Sequence, residues 1–234
     1  MTAMPVAVKP AVALFVTVLA LAAIIGTFFV LGAYPQDPGY HNFADKRTFF
    51  GVPNFWNVIS NLPFLVIGLM SLTRNRVFAL GLIVTAFGSG LYHWNPNDST
   101  LIWDRVGIVI VAGALVSLLV EEYAGGYARI SLIVAEVIGI VSLIIWYATG
   151  DLRLYGIAQF FPGLLIIALP LVFRPMNNAH GLLALVLVFY AIAKLCETYD
   201  AAIFHQLYFV SGHTLKHIAS AASTASVWLW LVKR

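Results

Sequence analysis

Long apolar runs, rather than alternation of apolar and polar positions, dominate the chain. Eight of them stand out, roughly 11–33, 53–73, 77–94, 104–122, 127–148, 154–173, 181–199 and 212–232. Each approaches the length of about 20 residues that a helix needs to cross a bilayer. The segments between them are rich in Pro, Gly, Asn and Asp, as in Tyr34-Pro35-Gln36-Asp37-Pro38-Gly39, Asn95-Pro96-Asn97-Asp98 and Arg174-Pro175-Met176-Asn177-Asn178. The pattern predicts an all-α polytopic membrane bundle with no soluble domain. Pro162 and Pro170 fall inside the sixth run and predict a kinked helix there, because each removes a backbone donor. The first run follows Lys9 and exceeds the apolar core of about 7–15 residues found in a signal peptide. It therefore predicts a retained anchor, with a cleaved signal sequence as the alternative. Either way the seven helices that follow keep their orientation.

Composition agrees with the runs. The 234 residues are 61% hydrophobic and 10% charged, with a mean hydropathy of +0.91. A soluble domain is about 45–50% apolar and about 25% charged. The net charge of +3 comes from scattered Lys and Arg and forms no patch for nucleic acid. The single cysteine, Cys196, excludes an internal disulfide and a cysteine-based zinc site. Lys and Arg also set the orientation. Lys9, Arg74, Arg76, Arg129, Arg174, Lys233 and Arg234 collect on one face, and Lys46, Arg47, Arg105 and Arg153 on the other. The first face is expected to be cytoplasmic, with both termini inside.

With eight alternating helices, several chemically capable residues arrive at the outer face. His93 ends the third run, Asp104 opens the fourth, and His213 and His217 open the eighth. His213 and His217 are four apart and share a helix face, and Ser89 lies one turn below His93 on its own helix. Three histidines with an open fourth position are a catalytic zinc arrangement. Zinc would bring the pKa of a bound water to about 7. Asp104 could take a proton from that water, and Ser89 could donate to a developing oxyanion. Plainer readings stand beside these. A lone membrane histidine commonly bonds a neighbouring helix, and Ser89, in Gly88-Ser89-Gly90, is also a small residue that lets helices approach. Asp104 could cap a helix end in the headgroup region.

Other polar residues carry structural expectations. Arg105 reads as an interface anchor, and Lys216 as snorkelling or paired with an acid. Lys194 and Glu197 are spaced for an ion pair, and Asp200 approaches the same face. Asn57, Ser60 and Asn61 read as contacts between helices. Glu136 lies mid-span with no evident partner. His180 belongs to the opposite face, while His41 and His205 are reserve ligands in loops.

Four segments together resemble the alkaline ceramidases, within a wider superfamily of seven-helix membrane hydrolases that includes the adiponectin receptors. They are Phe55-Trp56-Asn57-Val58-Ile59-Ser60-Asn61-Leu62, Ser89-x-x-x-His93, Asp104 eleven residues after His93, and Ser211-Gly212-His213-Thr214-Leu215-Lys216-His217. The last is closest to the form in bacterial-type members. The resemblance covers roughly 40–234 and treats 1–39 as an additional N-terminal helix and loop. It implies zinc held by His93, His213 and His217, with Ser89 and Asp104 beside the zinc-bound water. It implies hydrolysis of the amide of ceramide or a related N-acyl lipid, drawn from membrane lipids, and a place in a bacterial inner membrane. Eukaryotic relatives carry an acidic calcium-binding segment before the first core helix. Here His41 to Asn54 holds only Asp45 as an acid, and Asn54 stands where a glutamate is expected, which argues against calcium dependence.

Three function classes fit these residues. The leading one is a zinc-dependent amidohydrolase of ceramide-like lipids, with a lipid esterase as a variant. The second is a receptor or lipid-binding protein with structural zinc. The third is a haem-binding electron carrier, disfavoured because His213 and His217 sit on one helix and cannot face each other.

Overall fold

A computed structural model describes residues 8–174 and 178–234. The expected loop through Pro175, Met176 and Asn177 lies outside the described residues. The described chain is helical, with only isolated bridges in place of strands. Six helices are long and apolar enough to cross a membrane, and the protein is an all-α polytopic membrane protein. Many large apolar side chains point outward, among them Leu14, Phe29, Phe87, Ile144 and Leu171. That is the pattern expected where lipid is the solvent.

The chain forms two compact units. Among the described residues, the first comprises 8–36, 109–174, 178–180 and 234, and the second 37–108 and 181–233. In the first unit, α1 (Val8–Val30) packs on α7 (Arg153–Val172), and α7 packs on α6 (Ala128–Thr149). The later part of α5 (Asp98–Ala124) joins them through small residues. A Cβ on Gly139 would lie 2.2 Å from Val109, and one on Gly113 would lie 2.4 Å from a carboxyl oxygen of Glu136. Glu136 Oε1 is buried with no hydrogen-bond partner. α7 runs through both Pro162 and Pro170. The segment after α1 is fastened to the start of α7 by Arg153, which bonds Asp151 and donates from Nη1 to the Leu31 carbonyl at 2.9 Å. Hydrogen-bonded to Asp151, the Arg153 guanidinium holds that carboxyl down at about 2.

In the second unit, α10 (Gly212–Lys233) packs against α8 (Leu182–Thr198) and α3 (Leu62–Ser71), and α3 packs on α4 (Arg76–Trp94). Two expected runs differ from simple spans. The run 53–73 is two helices, α2 (Phe55–Ile59) and α3, broken at Ser60 and Asn61. Pro63 accounts for the break, since it has no N–H to offer the Ile59 carbonyl and its ring collides with that turn. The run 212–232 is one helix, α10, but its histidines, Lys216 and Ser/Thr residues leave it outside the six apolar spans. A short helix, α9 (Asp200–Leu207), occupies an expected loop and ends on Tyr208 with φ of 59°. All the buried polar side chains except Glu122 and Ser142 fall in this second unit, among the described residues. An apolar solvent makes isolated polar groups costly, so their concentration marks where chemistry is possible.

Candidate metal centre

Close helix contacts set the site. A Cβ on Gly88 of α4 would lie 2.2 Å from the Trp103 carbonyl of α5, and one on Gly107 would lie 2.4 Å from Thr85. Nothing larger than glycine fits there, and the two helices approach closely enough for the Ser89 side chain to interact with the Asp104 carboxyl. Gly212 does the same for α10, since a Cβ there would lie 2.2 Å from the Cys196 carbonyl of α8.

These contacts bring His93, His213 and His217 together. Their ligand nitrogens lie within 4.8 Å of one another, and all three residues are buried. The ring centroids are 4.8, 4.7 and 4.9 Å apart. This is the only such cluster among the described residues. Two nitrogens, His93 Nδ1 and His213 Nε2, are buried without a hydrogen-bond partner. An unmet buried polar atom costs about 1–3 kcal/mol, so two in one cluster call for a partner.

The third histidine is held in a ligating form. His217 Nδ1 lies 2.7 Å from Ser60 Oγ. Ser60 has one proton, and it donates to the Asn57 carbonyl at 3.1 Å. Ser60 Oγ therefore accepts from His217 Nδ1–H, which leaves the lone pair on Nε2. This is the arrangement by which a neighbouring group fixes the tautomer of a metal-binding imidazole. A donor set of three neutral imidazoles suits zinc, copper, iron or nickel.

Residues around the trio fix its geometry. Asp200 accepts from the His213 backbone N–H at 2.7 Å and, through its other oxygen, from the Ala44 N–H at 3.0 Å. One carboxylate thus secures the first turn of α10 and the segment carrying Phe43. The Phe43 ring lies 4.7 Å from the His93 ring and 4.6 Å from the His213 ring, and is 4% exposed. Asn54, in a left-handed conformation with φ of 47°, donates from Nδ2 to the His93 carbonyl at 2.9 Å. Asn57 Oδ1 accepts from Thr214 Oγ1 at 2.9 Å. Asp45 is bound to Arg47, whose Nη2 also donates to the Phe209 carbonyl at 3.0 Å. The hydrogen bond to Asp45 raises the Arg47 pKa above its ordinary value.

The expected residues are distributed as follows. His93, His213 and His217 meet, and Ser89 and Asp104 meet one turn from His93. Asp104 lies in the second turn of α5 and is buried, so it is not a cap at the helix end. Arg105 is 3% exposed and lies over the Tyr40 ring at 5.8 Å, so it is not an interface anchor. Lys216 pairs with Glu197 at 2.5 Å, and Lys194 binds the other oxygen of the same carboxylate. His41 bonds Tyr92 and Asp98, His180 bonds Tyr123, and His205, in α9 rather than a loop, lies against Tyr208. None of the three joins the trio. From sequence alone Ser60 is a contact between helices, and Phe43 and Asn54 have no part in the trio. The polar Ser60-Asn61 pair just before Pro63 was the available signal, since it marks a break where side chains can face inward.

No family model, curated protein or solved structure matches this chain.

Proposed function

We propose that the protein is a zinc-dependent hydrolase of the membrane that cleaves the amide bond of an N-acyl lipid of the ceramide type, giving an amine and a fatty acid. The observation that carries this reading is the buried trio of imidazoles, two with orphaned nitrogens and the third held as a ligand by Ser60. The Ser89–Asp104 pair one helical turn away gives the trio a proton-handling group.

His93, His213 and His217 would hold the ion. Zinc, when bound, would supply Lewis acidity and lower the pKa of a bound water to about 7. Asp104 holds the proton released by the attacking water and delivers it to the leaving nitrogen as the carbon–nitrogen bond breaks. Ser89, beside Asp104, orients that carboxyl. Phe43 covers two of the imidazoles and restricts water to the reacting side. A group placed to protonate the leaving atom suits an amide, whose nitrogen leaves poorly without a proton, more than an ester. The Lys and Arg bias of the loops favours cytoplasmic termini, with the site near the outer face of a bacterial inner membrane.

The test is turnover. Lipid extract incubated with purified wild type is expected to release free fatty acid, and Asp104→Asn, at equal zinc content, is expected to release little. Equal release by both, or none by the wild type, would remove the hydrolase reading.

A further inference from the structure

Beside the metal centre, one hydrogen-bonded chain runs from the protein surface to the wall of the trio. Its outer end is Asp98, the first residue of α5, whose side chain is 64% exposed. Asp98 Oδ1 lies 3.2 Å from His41 Nε2, and His41 Nδ1 lies 3.0 Å from Tyr92 Oη. The His41 side chain is 26% exposed and Tyr92 is 1% exposed, so exposure falls stepwise along the three residues. At the inner end the Tyr92 ring lies 4.8 Å from the His93 ring, and the phenol interacts electrostatically with Asp104. Tyr40, at 6.2 Å, is the other ring beside His41.

The chain has a direction. Asp98, in contact with water, is a carboxylate and can only accept. His41 therefore carries its proton on Nε2, and Nδ1 is left as the acceptor. The Tyr92 hydroxyl has one hydrogen, and it goes to Nδ1. The lone pairs of Tyr92 Oη then remain to accept from within the site. An imidazole oriented by a carboxylate in this way is a base for the hydroxyl on its other side.

We propose that Tyr92, His41 and Asp98 form a proton relay that clears the buried site to water after each turnover. The proposal rests on the proposed amide hydrolysis and adds how the site is reset. The attacking water brings two protons. One leaves on the amine nitrogen through Asp104, and the other remains on the new carboxylic acid. That second proton must depart before the fatty acid can leave as a carboxylate. Asp104, emptied by the amine, takes it and passes it to Tyr92 Oη, directly or through one water. The phenol hydrogen moves to His41 Nδ1, and the imidazolium gives its Nε2 proton to Asp98 and so to bulk water. Water at the partly exposed ring then restores the Nε2–H tautomer. One proton leaves the site per amide cleaved, the amine takes one up in bulk water, and no relay group is changed over the cycle.

The test follows fatty acid release from a long-chain N-acyl amide by the full zinc-loaded chain in lipid nanodiscs. His41→Ala is expected to slow turnover about 100-fold, the typical worth of a placed proton-transfer group, and added imidazole to restore about a tenth of the wild-type rate. Zinc content should be unchanged, and imidazole should not speed the wild type. A merely structural His41 would give a loss that imidazole leaves alone. Tyr92→Phe removes only the hydroxyl and should slow turnover as much, with no response to imidazole; it keeps the test decisive if His41→Ala fails to fold. Nitrogen NMR of histidine-labelled protein, assigned against His41→Ala, should show His41 protonated on Nε2 whether or not zinc is present. Wild-type turnover in Tyr92→Phe, a slow His41→Ala that imidazole does not speed, or His41 protonated on Nδ1 alone would overturn the relay and leave the hydrolase reading standing. No fatty acid release by the wild type would remove both, so the two failures are distinguishable.

Discussion

Removing the Ser60 hydroxyl is the sharpest small perturbation of the metal centre. Ser60→Ala deletes the acceptor 2.7 Å from His217 Nδ1 while leaving every imidazole in place. His217 is 4% exposed, so water does not readily replace the lost partner. A buried N–H left unpaired costs about 1–3 kcal/mol. At about 1.4 kcal/mol per tenfold, that corresponds to roughly 5- to 150-fold in an equilibrium constant. The variant can also avoid the cost by moving the proton to Nε2, which removes the ligating lone pair. Either route weakens metal binding, and loss of such outer partners typically costs about 10–100-fold in affinity. The assay is zinc competition against a chelator with purified protein in detergent. Ser60→Ala should raise the zinc dissociation constant about 10–100-fold. Ser223→Ala, which removes a similarly buried hydroxyl bonded to Val186 at 2.9 Å, should leave it unchanged. A Ser60→Ala protein that binds zinc as tightly as the wild type would refute the reasoning.

Three further outcomes follow from other contacts. Gly88→Ala places a Cβ 2.2 Å from a backbone carbonyl, so α4 and α5 must separate, at about 1–3 kcal/mol; thermal unfolding should report the loss, and turnover should fall more than zinc content. Phe43→Ala removes the ring over His93 and His213, and stopped-flow chelation should show faster zinc loss than in the wild type. The Asp151 carboxyl is held at about 2 when folded, below the ordinary value of about 4. Its contribution is therefore complete above about pH 4 and is lost as the pH falls toward 2. Melting curves across that range should fall less steeply for Asp151→Asn than for the wild type, and identical curves would contradict the assignment.

The trio was legible in the sequence because histidine, aspartate and serine are conspicuous in apolar runs, and helix parity alone brought His93, Asp104, His213 and His217 to one face. The spacing of Lys194 and Glu197 was legible for the same reason. What was not legible depends on backbone irregularity and on contacts across the fold. The run 53–73 has the composition of one span, yet Pro63 breaks it, and only the break gives Ser60 and Asn61 their different directions. Asp104 was placed at the start of a helix because the apolar run begins there. The polar turn from Asp98 begins α5 six residues earlier, held by Asn97 and Thr100, which bond each other's backbone N–H groups. Asp200 was placed at the right face by its position before α10, but Phe43 meets the trio through a segment distant in sequence, and nothing in its local sequence marks that role.

The central claim is that His93, His213 and His217 hold a catalytic zinc. Metal analysis of the purified protein tests it most directly. The account predicts about one zinc per chain, as for a single site with three protein ligands, and its loss in His213→Ala with the fold retained by circular dichroism. A wild-type protein without zinc, or a His213→Ala variant that keeps its full complement, would contradict it.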